Sequence, residues 1–373
     1  MATKVMTIVG TRPEIIKLSR VIAELDRRLD QVLVHTGQNF DYELNEIFFD
    51  DLGVRRPDHF LEAAGKTPSQ TIANVISRTD DLLQTCSPDA LLILGDTNSC
   101  LAALAAKRNR IPIFHMEAGN RCFDQRVPEE INRKIVDHLA DINLVYTEHA
   151  RRYLLAEGLR PETIIKTGSP MQEVFELHRT QVEASDVLER LRVKPGNYFV
   201  VSVHREENVD DPQHLEWLRS SLVAVAEKYE KSLLFSVHPR TRKRLDESDG
   251  WEDARIRMLK PLGFFDYNRL QQQACCVLSD SGTLTEESSL LGFPAVMLRQ
   301  AHERPEGMDE GTLVMSGLRP EQVLEAIATV IGQVVEGYRP RVAADYAAGA
   351  VSIKTVRAIL SYLEYVRRTV WFQ

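Results

Sequence analysis

The feature that most constrains this chain is a recurring unit: a short, wholly apolar stretch followed by an amphipathic segment of helical spacing. Residues 5–10 read as a buried strand, and Pro13 then opens a helix carrying Ile15, Ile16, Leu18 and Ile22. Further strands are predicted at 31–36, 90–95, 111–116 and 142–146, with helices at 67–83, 101–107 and 129–139. The pattern restarts after Lys194-Pro195-Gly196, with strands at 198–203, 233–237, 277–279 and 295–298 and a helix at 214–228. Strands without polar alternation, separated by helices, belong to parallel sheets covered on both faces. The expectation is therefore an α/β chain of two Rossmann-like, doubly wound domains, at 1–170 and 171–350. A last helix at 351–373 is expected to pack back on the first domain. Ligands of such sheets sit beyond the carboxyl ends of the strands, so two of them facing a cleft would hold the ligand there.

The bulk properties remove several classes of function. A chain of 373 residues is long enough for two ordinary domains. Its net charge of −8 argues against a general nucleic-acid binder. Cys86, Cys100, Cys122, Cys275 and Cys276 form no CxxC pair, which reads as thiols of a reducing compartment. The opening MATKVMTIVG runs straight into a strand pattern without the layout of a signal peptide. No apolar run approaches the ~20 residues of a membrane span. A cytoplasmic protein with no membrane partner is expected. His204 and His238 stand apart with no HxH or HExxH motif, so no metal is expected. The absence of GxGxxG and GxxxxGK[ST] leaves NAD and a P-loop unsupported, and no cofactor is expected.

Attention then falls on the polar residues that follow strands. Gly10-Thr11-Arg12-Pro13-Glu14, with Lys17 one turn on, offers a glycine, a helix start and a guanidinium to an anion, or is an ordinary strand–helix turn. Asp96 follows a strongly apolar strand and is a ligand of the cleft or a helix cap. Glu117 is expected just after the next strand. Glu129 and Arg133, at i and i+4, share a helix face; alone they would be a surface salt bridge. Three acids near neighbouring strand ends, Asp96, Glu117 and Glu129, would repel one another and shift their ionisation. In the second half His204 follows a strand directly. Ser281 and Gly282 are expected to open a helix suited to a diphosphate, with Glu287 about two turns in as a ribose acceptor. Tyr267 reads as a core ring or a base-stacking one.

Taken in order, GTRPEIIK, TGQN, LGDTNS, HMEAGNR, PEEINR, VHREEN, PLGFFDY, DSGTLTEE and ERPEG resemble the non-hydrolysing UDP-N-acetylglucosamine 2-epimerase family over nearly the whole chain. The resemblance implies a glycosyltransferase B-type fold, a UDP-sugar substrate and a homodimer. It implies acid/base roles for Asp96, Glu117 and Glu129, and diphosphate contacts for Arg12, His204, Ser281 and Gly282, with His204 counted among the catalytic groups. Tyr267 would lie near uracil, Glu287 on the ribose, and Lys17 and Arg133 beside the reacting centre. The implied chemistry expels UDP, removes the C2 proton to leave a 2-acetamidoglycal, and rebuilds the bond after protonation of the opposite face. Carboxylates suit both proton transfers and the positive charge at C1; cationic and helix N–H groups suit the departing UDP.

The chain departs from the common family pattern at informative places. It has Thr283 and Thr285 in a segment close to DSGGxQEE, Glu206 where HRREN has a base, and Asn120, Cys122 and Phe123 within the usual AGLRT stretch. Residues 64–67 lack the arginine-containing stretch that serves an allosteric UDP-GlcNAc site, so no such site is expected. These changes resemble the branch that converts UDP-2-acetamido-2,6-dideoxy-L-talose to UDP-N-acetyl-L-fucosamine for capsule and O-antigen. UDP-GlcNAc/UDP-ManNAc and UDP-N-acetyl-L-rhamnosamine with its epimer are the alternative substrates. A hydrolysing epimerase, a glycosyltransferase of the same fold and a catalytically inert UDP-sugar sensor are the alternative classes.

Overall fold

The computed structural model describes residues 2–38, 48–237, 239–246, 251 and 253–373; Asn39 of the TGQN segment and His238 lie outside them. The chain divides into two compact units. Unit 1 comprises residues 1–177 and 344–373, and unit 2 comprises residues 178–343.

Unit 1 is built on a seven-stranded sheet in the order β3-β2-β1-β4-β5-β6-β7. Its strands are β1 (Lys4–Val9), β2 (Asp30–His35), β3 (His59–Phe60), β4 (Ala90–Leu94), β5 (Ile113–Ala118), β6 (Ile142–Val145) and β7 (Ile164–Lys166). All neighbouring pairs are parallel. The order reverses between β1 and β4, where Val5 pairs with Ala90 and Thr7 with Leu92. The strands β1, β4, β5 and β6 are buried on both faces because helices cover both. The helices are α1 (Arg12–Arg28), α2 (Pro68–Cys86), α3 (Ala102–Arg108), α4 (Pro128–Leu139) and α5 (Glu148–Ala156). Helix α1 buries Ile15, Leu18, Val21, Ile22 and Leu25 on one stripe, the helical spacing visible in the sequence. The C-terminal helix, Val351–Val366, packs along α1. Its return path is fixed by Asp345, which accepts from the Glu148 backbone N–H at 2.9 Å and from Lys166 Nζ at 2.8 Å.

Unit 2 repeats the plan with a six-stranded parallel sheet, β10-β9-β8-β11-β12-β13. The strands are β8 (Tyr198–Ser202), β9 (Ser232–Ser236), β10 (Ile256–Leu259), β11 (Cys276–Ser279), β12 (Ala295–Met297) and β13 (Val314–Met315). Here the order reverses between β8 and β11, which run in register from Phe199–Cys276 to Ser202–Ser279. The principal helices are α6 (Pro212–Tyr229), α7 (Phe264–Gln273), α8 (Leu284–Leu291) and α9 (Pro320–Val335). Two Rossmann-like units of parallel sheet are thus present, as the alternation of elements implies. No helix among the described residues is long and apolar enough to cross a membrane.

Candidate active site

In unit 1 the polar groups gather where β1, β2, β4 and β5 end. Thr11 caps α1 with an extended backbone but makes no side-chain cap bond. Glu14, in the first turn, reaches back instead. Its Oε2 accepts from the Gly10 N–H and from Thr11 Oγ1, both at 2.9 Å. Its Oε1 accepts from Thr97 Oγ1 at 2.9 Å, which joins the turn after β1 to the turn after β4. Thr97 in turn accepts from the Ser99 N–H and from Gln38 Nε2, and Thr36 pairs with Ser99 across 3.1 Å. Glu14 is buried, and burial pushes its carboxyl up to about 7 from the usual 4.5 against the pull of its donors. Sequence reasoning passed over Glu14, although Thr11-Arg12-Pro13-Glu14 carries the spacing of a capping box.

Glu117 lies within β5 rather than after it. The register of β5 against β6 shifts between Met116 and Ala118, and Glu117 sits there with φ 61°. A left-handed glutamate in a strand is strained, and only its surroundings hold it. Lys17 Nζ donates to Glu117 Oε2 at 2.5 Å, and Asn120 Nδ2 donates to Oε1 at 3.3 Å. Both members of the ion pair are nearly sealed, at 6% and 8% side-chain exposure. Asp96 follows β4 and accepts from Arg133 Nε at 2.6 Å. The buried Arg133 also donates to Glu130 Oε2 at 3.0 Å, which rules out an exposed helix-surface pair for it. Glu130, another residue the sequence did not single out, also accepts from the N–H groups of Cys122 and Phe123. Glu129 is half-buried in the first turn of α4, and Arg12 is half-buried with its guanidinium 5.6 Å from the Phe48 ring.

Asp96 and Glu117 each have a cation in hydrogen-bond contact, an attraction that opposes the repulsion expected among the three acids. A buried network underlies them. His115 bonds the Gly95 carbonyl through Nε2 at 2.8 Å, and its Nδ1 lies 3.0 Å from Asp137. Asp137 is also held by Arg121 Nη1 at 2.7 Å, and Arg121 grips Glu157 through Nε and Nη2. Burial opposes charge on both His115 and Asp137, but their contact outweighs it, raising the imidazole and lowering the carboxyl.

In unit 2 the polar groups gather at the β8–β11 reversal. His204 follows β8, and its Nδ1 lies 3.2 Å from the buried Asp280 that follows β11. The turn from Asp280 is longer than expected: α8 begins at Leu284, and Ser281 and Gly282 precede it rather than open it. Ser281 Oγ pairs with Thr283 Oγ1 at 3.0 Å. Glu287 consequently stands in the first turn of α8, not two turns in. It accepts from Thr283 Oγ1 and from Gln271 Nε2, each at 2.8 Å. Tyr267, on α7, is half-buried against the core around Tyr198, Leu270 and Leu284. Among the described residues, no group of three or more His, Cys, Asp or Glu side chains could hold a metal ion.

These are two strand-end clusters of charged and hydroxyl groups on two Rossmann-like sheets. The family profile described as UDP-N-acetylglucosamine 2-epimerase matches residues 23–360. The chain belongs to this family of epimerases. A structure of the UDP-N-acetylglucosamine 2-epimerase from Rickettsia bellii is 51% identical, covers 100% of both chains and superposes with a TM-score of 0.94. The Methanocaldococcus jannaschii UDP-GlcNAc 2-epimerase in complex with UDP-GlcNAc and UDP is 30% identical. It covers 96% of this chain and 100% of its own, with a TM-score of 0.89. The family is wider than one sugar: the UDP-2,3-diacetamido-2,3-dideoxy-D-glucuronate 2-epimerase of Pseudomonas aeruginosa is 34% identical over 89% of this chain and 94% of its own.

Proposed function

We propose that this epimerase inverts C2 of a UDP-2-acetamido sugar, converting UDP-2-acetamido-2,6-dideoxy-L-talose to UDP-N-acetyl-L-fucosamine for capsule or O-antigen. The observation that carries the reading is the pairing of Lys17 with Glu117 and of Arg133 with Asp96 at adjoining strand ends, in a chain of this family. Carboxylates kept in place by cations can accept a proton and face positive charge at C1 without rearranging. The C1–O bond breaks with its electron pair leaving on UDP. A carboxylate among Asp96, Glu117 and Glu129 removes the C2 proton, and the C1–C2 double bond of a 2-acetamidoglycal forms. Protonation of the other face of C2 by a second group and return of UDP to C1 complete the inversion. Arg12, His204, Ser281 and Gly282 are assigned to the diphosphate, Glu287 to the ribose and Tyr267 to the uracil.

The 6-deoxy-L sugar is favoured by the departures at Asn120, Cys122, Phe123, Glu206, Thr283 and Thr285, which together resemble the L-fucosamine branch. The interconversion of UDP-GlcNAc and UDP-ManNAc is the second reading, favoured by the description of the Rickettsia bellii relative. Incubation with each UDP-sugar in heavy water, followed at C2 by NMR, separates them. Deuterium is expected at C2 of the 6-deoxy-L pair, and incorporation into UDP-GlcNAc alone would reverse the order. Glu117→Gln is expected to bind UDP and lose most C2 exchange; near wild-type incorporation refutes its acid/base role.

A further inference from the structure

The turns that follow β8 and β11 meet at the strand reversal of unit 2, and one carboxylate joins them. Asp280 is fully buried. It accepts from the backbone N–H groups of His204 at 3.1 Å and Arg205 at 2.9 Å, and from Asn208 Nδ2 at 3.0 Å. Burial opposes its charge, yet the contacts with His204 and Arg205 hold the carboxyl below the usual carboxylate range. An ionised carboxylate offers only acceptors, so the 3.2 Å approach of His204 Nδ1 favours a proton on that nitrogen over a lone pair. The ring itself is 37% exposed, while the carboxylate beneath it is sealed. Bracing the turn does not account for the ring contact, because the backbone N–H groups and Asn208 already tie the turn to Asp280. Positive charge is near as well: Arg205 Nη2 lies 3.4 Å from the point a Cβ on Gly282 would occupy.

We propose that Asp280 is a positioning residue that fixes His204 with its Nδ1 proton inward and Nε2 directed to the departing phosphate of UDP. The inference rests on the function proposed above. When the C1–O bond breaks, the electron pair goes to a β-phosphate oxygen. His204 as imidazolium hands its Nε2 proton to that oxygen. When UDP returns to C1, the proton returns to Nε2. Asp280 stays ionised throughout and steadies the imidazolium through Nδ1, as a buried carboxylate does for a catalytic histidine.

The test uses the whole protein labelled with ¹⁵N-histidine, with His204→Gln to assign the resonances. In the wild type at alkaline pH, Nδ1 is expected to resonate as protonated and Nε2 as unprotonated. The Nε2–H tautomer, or a mixture of the two, overturns the positioning role. UDP binding is followed by calorimetry on the same sample. Binding that shifts Nε2 more than Nδ1 supports the phosphate contact, and binding that leaves Nε2 unmoved overturns it. A failure of UDP to bind at all overturns it together with the functional reading, but leaves the tautomer result standing. Asp280→Asn is expected to lower kcat on the order of 100-fold, the scale of a general acid, with a much smaller change in KM. An equal loss in both parameters with an unchanged tautomer contradicts the assignment.

Discussion

Replacing Glu14 with glutamine tests how a buried carboxylate balances burial against its donors. In the native state its carboxyl is pushed up to about 7, whereas an unfolded chain has the usual 4.5. Between these values the unfolded chain has lost its proton and the native one still carries it. Stability therefore falls as pH rises from about 4.5 to about 7, and levels off above that. At 1.36 kcal/mol for each pH unit, the total is about 3 kcal/mol. Glutamine cannot titrate. Its amide keeps one acceptor for Gly10 and Thr11 and turns a donor toward Thr97, so it shifts stability by an amount that does not depend on pH. The quantity to follow is thus the difference between the two proteins as pH changes. The three tryptophans allow unit 1 to be read alone: in a Trp217→Phe/Trp251→Phe background, Trp371 reports on unit 1 during urea unfolding. Wild type minus Glu14→Gln is expected to fall by about 3 kcal/mol from pH 4.5 to pH 8. A flat difference would mean that the three donors outweigh burial and keep Glu14 ionised throughout, which refutes the reasoning.

Lys17→Met should destabilise unit 1 by about 3–5 kcal/mol, because it leaves the Glu117 carboxylate buried beside an apolar chain. Adding Glu117→Gln should recover part of that loss in thermal or urea unfolding; strictly additive effects would show that the pair does not interact. Gly119→Ala should cost about 2–3 kcal/mol through crowding alone, since its Cβ would come within 2.6 Å of the Ala150 carbonyl at φ +80°. Gly196→Ala is the control, with φ +69° and no atom within 4 Å, and should lose only about 1–2 kcal/mol from its backbone conformation. Equal losses for the two glycines would remove the steric argument.

The α/β pattern was legible because a strand buried on both faces leaves no ambiguity of period: Ala90–Leu94 has no exposed residue to disguise it. The strands β3 and β13, of two residues each, have no period to read. They form only because an adjacent strand edge accepts them. Candidate residues at strand ends were legible as positions and less so as contacts. Glu117 lies inside its strand because a register shift, which depends on the neighbouring strand β6, admits one more residue. Glu287 moved toward the helix start because Thr283, not Ser281, ends the turn. Lys17 was singled out for its place one turn after Arg12, but nothing local says that it meets a carboxylate one hundred residues away. Asp280 was visible within a motif, yet its bond to His204 depends on β8 and β11 being neighbours, and strand order is a tertiary fact.

The return of residues 344–373 to unit 1 makes unit 2 an insertion within it. On the ribosome, all strands and most helices of unit 1 are translated first, yet the helix that packs along α1 comes last. Until Val351–Val366 emerges, the stripe of α1 that it covers faces solvent, and Thr355 is not yet beside Met116. Unit 2, made of one continuous segment, can meanwhile complete its own sheet. The order of synthesis is thus the reverse of the order of completion: the half that begins the chain is the last to close. A released chain lacking residues 351–373 would present a complete unit 2 beside an open unit 1, a state that chaperones and proteases can distinguish from the finished protein.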